Sequence, residues 1–505
     1  MTSQRRAVKA LRVDQWLSEW DSVPFGREGQ PPEPPHQFYM FAMDANTLRR
    51  LSGIYRRTPK PGELRSTDPN VQRRHETDRS TQIAEFVRYG YPWSDLNATR
   101  RESGKFDDLR KPGWLPTAIV LNVVDVGESR NGRRMLEEDA VTVDQEGSGD
   151  VVLPAAFDDR WTPRSIHPFE VIDGQHRLWA FGEHELSGDF QLPVVAFVGL
   201  DRRWQAYLFW TINITPKRIN PSLAFDLYPL LRAEDWLDRF EGHPVYRESR
   251  AQELTEALWA HPESPWYQRI NMLGEGRKGV SQAAFVRSLL ATFVRSWPPN
   301  ERLGGLFGAS RGTDVTVLPW SRAQQAAFLI LVWSELRKAI KGTKAAWAKE
   351  VRRVQADVAM DDRPSDAAFD GDLSLLDSDQ GVRAFLHITN DIFYVRADSL
   401  ELFAWQSDAR DEPATDLAGV TKALSELIGT QIAVLAAELC ESLAWYDWRT
   451  FSAPGLTEEE QVRKASFRGA GGYRQLRQHL LTHLQNSTSQ TVATAARDVA
   501  DRLRG

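Results

Sequence analysis

One cysteine, Cys440, occurs in 505 residues. That excludes an internal disulfide and a zinc site built from several thiolates. No apolar run approaches the ~18 residues that a membrane-spanning helix needs, and the mean hydropathy is −0.46. The opening MTSQRRAVKALRV is basic but has no apolar h-region, so it is not read as a secretory signal and the chain is expected in the cytoplasm, away from membranes. Familiar catalytic signatures are missing as well. G-x-x-x-x-G-K-[ST], H-E-x-x-H and G-x-S-x-G are all absent, which sets aside P-loop ATPases among others. His479 and His483 lie four apart but have no third ligand nearby in sequence, so they read as surface or core residues. Net charge is −6 with a pI near 6.0. Any contact with DNA must therefore use a local patch.

The chain is 41% hydrophobic and 26% charged, as expected of a globular protein, and its length implies two or three domains. Its 18 tryptophans are read mainly as core, with Trp204 and Trp448 singled out because each adjoins an arginine. Residues 1–35 read as an arm with a short helix around Ala7–Trp20 and a proline linker. QFYMFAM from Gln37 reads as a strand, and Asp44–Ser52 as a helix capped by Asp44 or Asn46. Arg79–Tyr89 reads as a helix, Leu115–Val124 as a strand, and residues 125–165 as a hairpin or insertion. Gln191–Leu200 reads as a strand, Arg202–Trp210 as a short helix, and Thr211–Leu223 as a loop that folds Asn213 back. Strands alternating with helices over residues 36–225 imply an α/β core domain. Residues 226–505 read as a large, mainly α-helical region, open to division into two sub-bundles. It includes helices at Ser321–Lys338, Ala345–Met360 and Asp416–Trp445, and a loop at Asp361–Gln380. Val315–Leu318 and Ile392–Val395 carry strand propensity.

The chemistry concentrates at Phe169–Ala180, FEVIDGQHRLWA. An apolar run breaks at Asp173-Gly174 and a helical pattern follows from Gln175. A helix start offers unpaired N–H groups and the positive end of its dipole, and glycine allows a close backbone approach. Arg177 can grip a phosphate, or pair with Asp173 across the turn. His176 can donate to a phosphate or act as acid or base; otherwise it bonds backbone at the helix start. Gln175 can orient a water or a ligand amide, or only cap the turn. Asp173 can hold magnesium, position a water, or cap the helix. Gly174 serves backbone clearance. Asn213 and Lys217 are expected to close over the same phosphate, and Arg73 is a weaker companion.

DGQHR at 173–177 resembles the name-giving motif of the DGQHR-domain family, which includes the DndB proteins of DNA phosphorothioation clusters and the DndB-like DpdB proteins of 7-deazaguanine modification clusters. Gln72-Arg73 with the helix after Arg79 is similar to the family's entry. Phe209, Ile212-Asn213, Lys217, Ile219 and Ser222-Leu223 are similar to a downstream segment. The resemblance covers about residues 37–225, and FRGAGGY at 467–473 is similar to a late feature. It implies a ParB/sulfiredoxin-like fold, binding of ATP or another nucleoside triphosphate with Mg2+, and hydrolysis, within a bacterial DNA-modification or defence system. It also implies DNA and the other proteins of such a cluster as partners; a homo-oligomer is compatible. Ile212 stands where ParB-type proteins have an acid, which counts against ParB-style metal binding. Gln175 stands where sulfiredoxin has its nucleophilic cysteine, which excludes that chemistry. A non-enzymatic DNA-binding regulator is the rival reading. A nuclease ranks last, because no dense acidic cluster adjoins the motif.

Overall fold

The computed structural model describes residues 6–26, 31–53, 77–104, 106–145, 149–183, 186, 188–213, 220–226, 244–274, 279–295, 303–308, 318–355, 365–405 and 416–504. The chain divides into a sheet-containing unit, Met1–Arg218, and a mainly helical unit, Ile219–Gly505. The expected boundary at 225/226 falls later than this division. The helix Pro221–Asp226 packs on the helices Pro244–Ala260 and Gln282–Ala291 and so belongs to the second unit.

The first unit contains strands β1 (Ala7–Val8), β2 (Leu11–Asp14), β3 (Gln37–Asp44), β4 (Ser52–Gly53), β5 (Ile119–Val123), β6 (Ser129–Arg130), β7 (Arg133–Arg134), β8 (Thr142–Val143), β9 (Val151–Val152), β10 (Phe169–Asp173) and β11 (Gln191–Val198). Its α-helices are α1 (Ala45–Leu51), α2 (Thr77–Tyr89), α3 (Ala98–Glu102), α4 (Gln175–Glu183) and α5 (Arg202–Asn213). A mixed six-stranded sheet has the order β2-β3-β11-β5-β10-β4. β11 runs parallel to β5 and β4 parallel to β10; the other pairs are antiparallel.

The N-terminal arm is a correction. In place of a helix around Ala7–Trp20, β2 forms the sheet edge beside β3, β1 pairs with β9, and only Ser18–Ser22 makes a 3-10 turn. The bonds that settle this come from Gln37–Met40 and Val151–Val152, far along the chain. Residues 125–165 do supply a hairpin: β6 and β7 join through Asn131-Gly132, both at positive φ, as a two-residue turn of this twist requires. Asp44 caps α1, its carboxylate accepting the Thr47 N–H at 2.8 Å, while Leu48 and Leu51 are buried beneath.

Side chains alternate across a strand. Phe169 and Val171 of β10 enter the core with Leu121, Val123, Leu178 and Phe181, on the face covered by α1, α2 and α4. Glu170, between them, points to the other face. There it meets Arg130 (Nη2–Oε2 2.8 Å, Nε–Oε1 3.1 Å) and Gln205 of α5 (Nε2–Oε2 3.1 Å). Glu170, Arg130 and Gln205 are all buried. Burial alone would lower the Arg130 pKa, but the Glu170 carboxylate, with Glu128 adding to it, outweighs burial and the pKa rises. Gln205 also donates to the Leu200 carbonyl (2.9 Å), and Arg202 to the Ser129 carbonyl (2.8 Å), so α5 is fastened along β10.

The second unit is organised by the helix Arg322–Gly342, whose Phe328, Leu329, Trp333 and Leu336 are fully buried. Ser321 and Gln324 close the expected capping box. One continuous hydrophobic cluster runs from Ala251 to Val499, with no break into two sub-bundles among the described residues. Asp416–Trp445 is two helices, Leu417–Leu427 and Gln431–Ala444, bent by 85° about Gly429 at positive φ. No single described helix is long and apolar enough to cross a membrane. The expected loop at Asp361–Gln380 is compact over its described part, burying Phe369, Leu375 and Leu376. Ile392–Val395 ends the helix Asp379–Val395, where burial of Ile392 and Phe393 overrides their strand propensity. Of the Val315–Leu318 segment, only Leu318 lies among the described residues.

Two expected outcomes follow from these contacts. Removing the Glu170 carboxylate leaves Nε and Nη2 of the buried Arg130 without their partner, only Nη1 keeping its bonds to Glu128 and Ser129, so Glu170→Ala is expected to cost ~3 kcal/mol in the urea unfolding of the first unit, and Glu170→Gln distinctly less. In the second unit, burial raises the Asp377 carboxyl to about 7; Arg269 opposes this, while Asp370 and Asp372 add to it. The folded chain then holds a proton there that the unfolded chain releases, so this group's contribution is fully present below about pH 4 and lost as pH rises through 7. Melting curves across that range are expected to flatten in Asp377→Asn.

Candidate functional site

β10 does not run straight into its turn. Val171 lies opposite Leu121 but Asp173 lies opposite Val120, so β10 carries one extra residue, a bulge at Ile172. Bulges re-aim the side chain that follows them. Gly174 comes next at φ +93°, where a Cβ would stand 2.6 Å from Ile119 Cδ1 and 3.1 Å from Arg177 Nη2. Only glycine fits both the dihedral and the space. α4 begins at Gln175, and Leu178 N–H closes its first turn on the Gly174 carbonyl at 3.0 Å. The strand, one-glycine turn and helix start are thus as the sequence implies.

The Asp173 carboxylate is the hub. Oδ2 accepts from Arg177 Nη2 at 2.7 Å, and Oδ1 from Asn213 Nδ2 at 3.2 Å. Arg177 Nη1 further donates to the Thr117 carbonyl (2.6 Å), the Thr117 hydroxyl and the Ala118 carbonyl (3.2 Å). The ion pair across the turn therefore exists, and Arg177 also ties α4 to the chain entering β5. Its Nε makes no hydrogen bond among the described residues and remains open to a ligand. Burial lowers the Arg177 pKa, Asp173 opposes that, and Arg79 on the first turn of α2 adds to the lowering.

Gln175 Nε2 lies 3.3 Å from His176 Nε2, so the amide and the imidazole are neighbours at the start of α4. Gln175 Oε1 is buried and has no hydrogen-bond partner among the described residues. An orphaned acceptor of this kind fits a donor brought by water or ligand.

Asn213 is a correction in its surroundings. It occupies the last turn of α5 and not a loop, its Nδ2 also bonding the Phe209 carbonyl at 3.1 Å. Pro216 restricts the residue before it, which leaves the helix free to reach 213. Arg73 and Lys217 lie outside the described residues. The tryptophans beside arginines are anchors: Trp204 Nε1 donates to the Pro32 carbonyl at 2.7 Å, and the fully buried Trp448 donates to the Leu443 carbonyl at 2.8 Å.

Both Asp173 oxygens are already taken, and no group of three or more His, Cys, Asp or Glu able to hold a metal occurs among the described residues. This donor set does not fit a magnesium ion held by the protein alone. Sequence reasoning missed Thr117 and the Glu170–Arg130–Gln205 network. The signal for the second was available: a charged residue in the apolar run Phe169–Ile172 needs a buried partner.

No family model, curated protein or solved structure matches the chain.

Gly174→Ala forces a side chain into the positive-φ region against Ile119, and is expected to cost ~2 kcal/mol or more. Gly471→Ala, with open space around the added methyl, is expected to be neutral or stabilising. Thermal melts of the two variants check the contrast.

Proposed function

We propose that the first unit is a ParB/sulfiredoxin-like domain of the DGQHR family that binds and hydrolyses a nucleoside triphosphate, ATP in preference to CTP. In this reading the chain serves a bacterial DNA-modification or defence system of the phosphorothioate or 7-deazaguanine type. What supports the phosphate part is the Arg177 guanidinium in the first turn of α4, held by Asp173, Thr117 and Ala118, beside Gln175 Oε1, which is buried without a partner among the described residues. A phosphate at the first-turn N–H groups would meet that guanidinium and the positive end of the helix.

The roles follow from the contacts. Arg177 binds phosphate through the Nε left open by its other bonds. Asp173 and Asn213 hold that guanidinium and the end of α5 in place. Gln175 Oε1 accepts a hydrogen bond from the attacking water, and His176 is the neighbouring group able to receive its proton. Water adds to the terminal phosphorus as the bond to the leaving diphosphate breaks. No step is assigned to a protein-bound metal.

Phosphate release from ATP and CTP, with and without DNA, tests the reading. Arg177→Ala is expected to lower turnover at least 100-fold, roughly the loss expected of a charge-stabilising contact. Because that change also breaks the Asp173 pair, Arg79→Gln serves as the companion: it leaves the pair intact and is expected to raise KM. Undiminished turnover in Arg177→Ala would place the chemistry elsewhere. No turnover in wild type, with salt-steep DNA binding lost in Arg177→Ala, favours the DNA-binding regulator.

A further inference from the structure

Large exposed aromatic side chains are uncommon away from binding surfaces. In the first unit, Trp114 is 74% exposed, Tyr207 56% and Trp210 55%. Their placement is not scattered. Trp210 comes three residues before Asn213, which holds Asp173, and Trp114 comes three residues before Thr117, which holds Arg177. Each segment that touches the ion pair therefore carries an exposed indole just upstream.

Both are mounted on rigid supports. On α5, Tyr207, Trp210 and Asn213 recur every three residues and share a side of the helix. The rise from Trp210 to Asn213 is ~4.5 Å. Tyr207 is braced edge-on by Trp204 (ring centroids 5.6 Å apart), which is itself tied to Pro32. Trp114 leaves a chain pressed flat on α2: Lys111 N–H bonds the Tyr89 carbonyl at 3.1 Å, and a Cβ at Gly113 would stand 1.8 Å from the Phe86 carbonyl oxygen. Such support holds an indole ready to bind without collapse onto the protein.

An aliphatic partner surface gains little from indole and phenol rings on the segments that hold the Asp173–Arg177 pair. A ligand that combines phosphate with a flat π-system matches both features. We propose that Trp210, backed by Tyr207, and Trp114 are the base-stacking residues of this site, receiving the nucleobase attached to the phosphate at Asp173–Arg177. This rests on the phosphate reading above. The base can belong to a free nucleotide or to single-stranded DNA.

Equilibrium binding of ATP, inorganic tripolyphosphate and a short single-stranded oligonucleotide to full-length wild type, Trp210→Ala, Trp114→Ala and Trp210→Phe tests this. Loss of one stacked base is expected to weaken ATP or oligonucleotide binding about tenfold or more. Tripolyphosphate is expected to bind Trp210→Ala as it binds wild type, and Trp210→Phe to keep most of the affinity. Loss confined to ATP identifies the free nucleotide; loss confined to the oligonucleotide identifies single-stranded DNA. Alanine variants that bind ATP and oligonucleotide like wild type overturn the stacking role and leave the phosphate site standing. So does wild type that binds tripolyphosphate as tightly as both ATP and the oligonucleotide. Wild type that binds none of the three overturns both. The side chains are exposed, so unchanged melting temperatures are expected and report that the variants fold.

Discussion

The buried carboxylate of Glu170 is the constraint on which the geometry of the first unit turns. A charge on a central strand is costly in a low-dielectric interior unless every lone pair is met. Arg130 and Gln205 bond this carboxylate, and in doing so they fix two elements together with the Arg202–Ser129 and Trp204–Pro32 bonds. The Arg130 hairpin is drawn onto the sheet, and α5 is fastened alongside β10. From Glu170 to Asp173 is ~10 Å of strand, and from Gln205 to Asn213 is ~12 Å of helix. The two elements therefore arrive together at the far end, where the Asn213 amide meets the Asp173 carboxylate.

That end is a junction of three elements on one acid. Asp173 closes β10, Arg177 opens α4 and Asn213 closes α5. Thr117 adds the approach to β5. A guanidinium engaged in this way is already oriented and partly desolvated before any ligand arrives, so binding costs little further ordering. The arrangement also explains why Arg177 looks structural and functional at once: the bonds that hold it are the bonds that aim it.

What was legible in the sequence was local. Asp44 over α1, Ser321 with Gln324, and Gly174 between strand and helix each declare themselves within four residues. Asn131-Gly132 does the same for its hairpin. What was not legible is set by distance along the chain. Glu170 finds Arg130 at 40 residues, Asp173 finds Asn213 at 40, and Arg177 finds Thr117 at 60. The arm was misread for the same reason, since β1 and β2 have weak patterns of their own and gain their strand form from β9 and β3. Ile392–Val395 went the other way, its strand propensity overruled by a helix that buries it.

The bulge at Ile172 has a consequence for how this turn can vary. Because β10 holds one more residue than β5 opposite it, Asp173 owes its direction to a count and not to its own chemistry. Under regular alternation Asp173 would point with Phe169 and Val171 into the core; the extra residue instead puts it on the face of Glu170, where α5 runs. Length, as much as residue identity, defines this motif.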